Sequence, residues 1–164
     1  MNVTVRRMDE NNLEECIAIW NDVVKDGLAF PQMDLLDQET GAAFFDSQSF
    51  TAAAIDPETG QTVGLYILHP NNVGRCGHIC NASYAVRKDL RGRQIGEALV
   101  RHCLDQAKVL GFRILQFNAV VADNHRALNL YKKIGFIPLG IIPLGFLSVD
   151  GTYKDIIPHY IELK

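Results

Sequence analysis

The chain has no apolar run long enough to cross a membrane as a helix. Its most hydrophobic stretch, Ile134 to Val149, is cut by Gly135, Pro138, Gly140, Pro143 and Gly145, and falls short of the roughly 20 residues a spanning helix needs. It reads instead as a broken core strand. The N-terminus reaches Arg6, Arg7, Asp9 and Glu10 without an apolar segment, so no signal peptide is expected and the expected compartment is the cytoplasm. Positive charge is not in excess either: 16 Lys and Arg stand against 19 Asp and Glu, a formal net charge of -3. A dedicated nucleic-acid binder carries the opposite balance, so neither a nucleic-acid nor a membrane partner is expected. The cysteines, Cys16, Cys76, Cys80 and Cys103, lack zinc-site spacing. Cys76, His78 and Cys80 alternate along an expected strand with no second pair to complete a tetrahedron, so no metal is expected. Cys16 and Cys103 fall on apolar helical faces and read as small core residues. Repeats, linkers and low-complexity segments are absent too, so residues 1–164 read as one domain, long enough to bury about two thirds of its unfolded surface.

What is present is a regular alternation of strand and helix patterns. Val3 and Val5 alternate with polar residues, and Leu13, Cys16, Ile17, Trp20, Val23 and Val24 then recur at helical spacing up to Gly27. A second short helix is expected around Gln38 to Asp46. Strands at about Phe50 to Ile55 and Thr62 to Leu68 flank Asp56-Pro-Glu-Thr-Gly60, a turn-forming run, and make a hairpin. His78 to Val86 reads as a strand, Ile95 to Leu110 as a helix ended by Gly111, and Phe112 to Val121 as another strand. Asn124 offers a cap for a helix closed by Gly135, and two last strands flank the hairpin dipeptide Asp150-Gly151. The hairpins require antiparallel pairs while the strand-helix-strand from 78 to 121 favours a parallel crossover. The expected fold is therefore an α/β mixed sheet flanked by helices.

The most pointed local feature is Leu90 to Ala98, LRGRQIGEA, between a strand and a helix. The first amides of a helix have no intrahelical acceptor, the dipole is positive there, and glycine admits a close ligand. Arg87, Lys88, Arg91 and Arg93 face the single acid Asp89, so this turn is basic within an acidic chain. It suits a phosphate-bearing ligand of any kind. Further on, Asn124 and Tyr131 stand two helical turns apart, on roughly one face, and can address one ligand. Asn81 and Asn118 sit in the strands before and after the crossover helix. Asparagine is depleted from strands, so each needs a polar partner there, and a parallel crossover would make the two cross-strand neighbours.

Arg91-Gly-Arg-Gln-Ile-Gly96 followed by Asn124-His-Arg-Ala-Leu-Asn-Leu-Tyr131-Lys-Lys-Ile-Gly135-Phe136 resembles the GNAT superfamily of acetyl-CoA-dependent N-acetyltransferases, over about residues 77 to 146. The resemblance implies a mostly antiparallel sheet with a splayed parallel pair of strands. It implies acetyl-CoA as cosubstrate, its pyrophosphate on Arg91, Gly92, Arg93, Gln94, Ile95, Gly96 and Glu97, with Ala85, Val86, Asn124 and Asn129 as further contacts. Tyr131 then protonates the leaving thiolate. Gln94 departs from the family pattern, standing where a motif glycine is expected; a Cβ there is tolerable if Gln94 has helical dihedrals. Phe117 to Asn124, Gly145-Phe146 and Asp150-Gly151 further resemble the branch of yeast azetidine-2-carboxylate (proline-analogue) N-acetyltransferase and of phosphinothricin acetyltransferase. That likeness implies Asn81 and Asn118 as catalytic and substrate-binding residues; Phe30, Phe146, Pro31, Met33, Tyr66 and Tyr153 are candidate acceptor-pocket walls. The implied acceptor is the amine of a small amino acid or analogue, and a homodimer is the implied assembly. The alternatives are acetylation of a protein or peptide amine, and a catalytically silent acyl-CoA-binding sensor domain.

Overall fold

The computed structural model describes residues 1–164. In chain order its main elements are β1 (Thr4–Arg7), α1 (Leu13–Asp26), α2 (Gln38–Asp46), β2 (Phe50–Ile55), β3 (Thr62–Pro70), β4 (Ile79–Val86), α3 (Ile95–Val109), β5 (Ile114–Val121), α4 (His125–Ile134), β6 (Ile137–Pro138), β7 (Ile142–Leu147) and β8 (Tyr153–Glu162). One sheet runs β1-β2-β3-β4-β5-β8-β6, with β7 also paired to β8. Only β4 and β5 are parallel, because α3 carries the chain back across the sheet between them. No helix is long and apolar enough to cross a membrane.

Residues of alternating parity feed two cores. On one face α3 packs Leu99, Cys103 and Ala107 against Tyr66, Leu68, Cys80 and Leu115. On the other, α1 and α2 pack around Trp20, whose indole lies 4.5 Å from Phe30 and 6.0 Å from Phe45, centroid to centroid. Close approach of α3 requires Gly64: a Cβ there would sit 2.9 Å from the Ala85 carbonyl oxygen and 3.1 Å from Leu99. Cys16 and Cys103 are fully buried, as small core residues should be. Burial pushes the Cys16 thiol up to about 12, so it carries no thiolate at neutral pH.

The functional consequence of the topology is a gap. The β4–β5 ladder holds only Ile79 to Ile114 and Cys80 to Leu115, while β5 turns away to follow β8 through an irregularity between Phe117 and Val120. Beyond Cys80, β4 therefore presents an unpaired edge to β5. That register also corrects one expectation: Asn81 and Asn118 are not ladder neighbours, since the pairing ends before either is reached.

A second correction concerns Ile134 to Val149, expected as core. β6 and β7 form the outer edge of the sheet, and Ile141, Leu144 and Val149 are 63%, 65% and 67% exposed. Only Phe136, Phe146 and Ser148 of this stretch are buried. An apolar run shows that a surface seeks cover, not which surface covers it.

Candidate active site

Between β4, β5 and the N-termini of α3 and α4 lies a cleft of about 820 Å³, within the usual range for a small-molecule site. Its head is the turn before α3. None of the backbone amides from Arg91 to Glu97 donates a hydrogen bond; Ala98 is the first to do so, to the Gln94 carbonyl at 3.2 Å. A run of unsatisfied N–H groups at a helix start is an anion cradle in its own right. Gly92 shapes it with φ 86°, and no atom lies within 4 Å of where its Cβ would be, which leaves room for a ligand. Gln94 is not helical as expected: it caps α3 at φ 66°, ψ 9°, the left-handed region that favours glycine. Glycine adopts this conformation freely, whereas the Cβ of Gln94 is strained by it.

The basic side chains are more committed than the sequence suggests. Arg91 lies 3.2 Å and Lys88 3.0 Å from the Asp26 carboxylate at the end of α1, and these partners, Lys88 foremost, hold Asp26 below the usual carboxylate range. Arg87 is paired with Asp89 at 2.8 Å. Arg93 is exposed and stands outside the cleft lining. Glu97 lines the cleft, but its carboxylate is taken by Lys133 at 2.6 Å and Arg101 at 2.9 Å. These cations, Lys133 first, keep it ionised below its ordinary range. An anion held this way repels phosphate rather than binding it, which speaks against a side-chain contact from Glu97.

The edge of β4 forms one long wall. The Asn71 amide donates to Ile79 and the Arg87 amide to Val63; in an antiparallel ladder this alternation commits odd-numbered amides, Ala85 among them, to β3. The Val86 amide faces the gap, while that of Ala82 is capped by the Asn81 carboxamide oxygen at 2.8 Å. Of the expected Ala85–Val86 pair, then, Val86 offers the free donor and Ala85 does not.

The opposite wall is α4. Asn124 caps it, accepting from the Ala127 amide at 3.3 Å, and lines the cleft together with Arg126, Ala127, Leu130 and Tyr131. Asn129 does not: it is exposed on the outer face of the helix. The Tyr131 ring packs 4.4 Å from Phe117 and 5.4 Å from Phe136, and its hydroxyl has no hydrogen-bond partner in the protein. Burial raises its pKa well above the ordinary phenol value, so Tyr131 is a protonated donor at any physiological pH. Tyr84 lines the same cleft with its buried hydroxyl also unpartnered.

Phe30 and Pro31 also line the cleft, with Phe30 fixed on Trp20. The loop behind them is stapled by Asn21, whose amide donates to Leu36 O at 2.8 Å and accepts from Leu36 N at 2.9 Å. Asn81, at the end of β4 away from Val86, lines the far end of the cleft, and Asn118 on β5 lines it too. Other expected walls do not: Phe146 is buried with Val121 and Ile156, Tyr66 is core, and Met33 and Tyr153 are exposed. Sequence reasoning missed Asp26, Arg126 and Lys154, which lines the cleft paired with Asp123. It missed as well Asn71 and Gln116, which bond to Asn118 from behind. No local pattern marks any of them. No cluster of potential ligands fits a metal ion. None of the five histidines lines the cleft: His125 is exposed, His102 bonds Tyr66, and His69 and His159 each bond a backbone carbonyl.

The arrangement can hold an anion at its head, an extended chain along the β4 edge and a polar group at its far end beside a protonated phenol. Comparison with known proteins fits that shape. The chain is 37% identical over 104 residues to the N-acetyltransferase aca1 of Schizosaccharomyces pombe, a match covering 63% of this chain and 49% of that relative, so it spans about half the relative's length. It is 24% identical over 148 residues to the L-methionine sulfoximine/L-methionine sulfone acetyltransferase of Pseudomonas aeruginosa, covering 87% of this chain and 85% of that one. Its fold superposes with a TM-score of 0.90 on a phosphinothricin acetyltransferase from Sinorhizobium meliloti in complex with acetyl-CoA, at 19% identity, covering 99% and 89% of the two chains. The acetyltransferase (GNAT) family model matches residues 15–136, and the chain belongs to that family.

Proposed function

We propose that this chain transfers an acetyl group from acetyl-CoA directly to the amine of a small amino acid or amino-acid analogue. The observation that carries this reading is the row of undonated amides from Arg91 to Glu97, opening onto a cleft whose other wall holds the unpartnered Tyr131 hydroxyl. The cradle takes the pyrophosphate through backbone N–H groups of Gly92, Gln94, Ile95 and Gly96, and Arg126 on the facing helix adds a cation. Pantetheine lies along the unpaired β4 edge past Asn124. The Val86 amide, beside the cradle, takes a pantetheine carbonyl at the start of the edge. The neutral acceptor amine attacks the thioester carbonyl, the free Asn81 carboxamide N–H at the other end of β4 stabilises the negative charge that develops on oxygen, the proton shed as the C–N bond forms passes to water, and the Tyr131 hydroxyl gives its proton to the sulfur as the C–S bond breaks. The amine attacks directly, so no acyl-enzyme forms.

An amino-acid acceptor is supported by Phe30 and Pro31, apolar side chains lining the cleft together with Asn81 and Asn118, and by the sulfoximine- and sulfone-acetylating relative. Proline analogues such as azetidine-2-carboxylate belong to the same size class. We also read the exposed apolar edge of β6, β7 and the start of β8 as the contact of a homodimer. The deciding experiment measures free thiol released from acetyl-CoA across amino acids, proline analogues, polyamines and N-terminal peptides. Release with small amino acids supports the reading, and release with peptides alone would move it to a protein amine. Acetyl-CoA binding with no release for any amine would leave only a sensor domain.

A further inference from the structure

The amide of Asn118 is almost fully used. Its Oδ1 accepts from Asn71 Nδ2 at 3.1 Å and from Gln116 Nε2 at 3.2 Å, and its Nδ2 donates to Asn71 Oδ1 at 2.7 Å. A carboxamide has two acceptor sites and two donor hydrogens, so one N–H remains. Asn71 and Gln116 are absent from the cleft lining whereas Asn118 is part of it, so the remaining N–H is the one turned to the cleft. The Asn71–Asn118 pair by itself is symmetric and could face either way; the third member, Gln116, two residues earlier on β5, donates to the Asn118 oxygen and favours this arrangement of the three. Asn81 has the same polarity, since its Oδ1 is spent on the Ala82 amide at 2.8 Å and its NH2 is free.

We propose that Gln116 and Asn71 are positioning residues that turn the Asn118 carboxamide N–H side outward, so that this end of the cleft selects amines that also carry a carboxylate. The proposal rests on the acceptor lying at this end, as the proposed function has it. Amide donors bind a carboxylate through charge-assisted hydrogen bonds, whereas they offer a second ammonium nothing to donate to. An acceptor lacking the carboxylate leaves those N–H groups unpaired on binding, the kind of loss that discriminates strongly between analogues.

Gln116→Glu is the reversing variant. A carboxylate at 116 can only accept, so it draws the Asn118 Nδ2 toward itself and turns the carbonyl oxygen to the cleft. Gln116→Leu is its uncharged control, leaving the Asn71 pair free to face either way. Calorimetry on the full chain saturated with CoA measures the affinity of L-methionine sulfone against 3-(methylsulfonyl)propylamine, and of azetidine-2-carboxylate against azetidine; thiol release gives KM and kcat for the same pairs. In the wild type the acid binds at least about tenfold better than its decarboxylated partner. That ratio falls toward one in Gln116→Leu and inverts in Gln116→Glu, with acetyl-CoA affinity unchanged and KM moving rather than kcat. Equal binding of both partners by the wild type overturns the inference. So does a ratio untouched by Gln116→Leu, which would leave only the added charge of Gln116→Glu as the cause. Selective binding without thiol release would instead sink the acetyltransferase reading and leave this one standing.

Discussion

Tyr131 on α4 and Phe117 on β5 lie with ring centroids 4.4 Å apart and planes tilted by 33°. The contact fixes the phenol against the cleft while its hydroxyl stays unpartnered. Tyr131→Phe keeps the ring and removes only the oxygen, so the fold and acetyl-CoA affinity should persist. With the thiolate leaving unprotonated, kcat should drop by about a hundredfold or more. Stopped-flow thiol release alongside acetyl-CoA titration separates the two effects, and full turnover by the variant would remove the acid role. Because burial raises the Tyr131 pKa, no alkaline decline from this group should appear in kcat below its ordinary pKa of 10.

Gln94 stores strain at the head of the cradle. A left-handed backbone costs a residue with a Cβ about 1–2 kcal/mol, part of which glycine returns through its larger unfolded-state entropy. Gln94→Gly should therefore stabilise the fold by a net ~0.5–1 kcal/mol, raising Tm by about 1–4 °C for a chain of this size. KM for acetyl-CoA should stay level or fall, since the amide remains and the Cβ leaves. A lowered Tm would show that the Gln94 side chain does something its missing hydrogen bonds do not reveal.

Much of this architecture was legible in local patterns. The 3.6-residue rhythm of Cys16, Trp20 and Val23, the turn at Asp56 to Gly60 and the glycine stops at 27, 111 and 135 are signals carried by neighbouring residues. What stayed hidden depends on register between distant segments. The φ of Gln94 belongs to the turn that carries the chain from β4 into α3, and no propensity at position 94 reports it. Asn118 meets Asn71 because the β3–β4 hairpin end reaches beside β5, a contact across 47 positions. Phe146 and Asn129 have motif neighbours that suggest the site, yet both side chains face away from it. One residue of phase on β7 or 100° of rotation on α4 suffices to turn such a side chain away.

Glu97 decides between a cofactor contact and a clamp. If its carboxylate held acetyl-CoA, Glu97→Gln would raise the KM for that substrate. Its ion pairs with Lys133 and Arg101 predict the opposite. Removing the anion beside the cradle and freeing both cations should lower KM by roughly two- to fivefold. The gain should shrink as ionic strength rises, because the two cations it frees are exposed and screened. Steady-state KM at low and high salt is the measurement, and a rise at low salt would restore Glu97 as a ligand.

His102 ties stability to pH. Its Nδ1 lies 2.9 Å from the buried Tyr66 hydroxyl, and partial burial lowers its pKa below the ordinary 6.5. As pH falls through 6.5 the unfolded chain takes up the proton before the folded one, so it binds more protons and stability declines. Above that value both forms are neutral and the contribution is constant. Urea midpoints should thus be level from pH 8 to 7 and fall between about pH 6.5 and 5.5. In His102→Gln this decline should flatten. An identical slope in the variant would assign it to another group.

The exposed edge tests the assembly and its bearing on the site together. Ile137, Leu139, Ile141, Ile142, Leu147 and Tyr153 are each about half exposed or more, and between Ile137 and Tyr153 the only charged residue is Asp150, a depletion typical of interface cores. Pro138 and Pro143 cannot donate to another strand, so a partner is expected to pack on the side chains rather than extend the sheet. Light scattering should return twice the chain mass of 18.3 kDa, and Ile141→Glu combined with Leu147→Glu should return one chain mass without loss of helix signal, since both side chains are already at the surface. Val149 beside this edge donates to the Gly27 carbonyl at 3.1 Å, and Gly27 begins the loop that carries Phe30 into the cleft. Monomerisation should therefore raise the acceptor KM more than the acetyl-CoA KM. A wild type that already runs as a monomer at high micromolar concentration would end the dimer reading, and the apolar edge would then need a different partner.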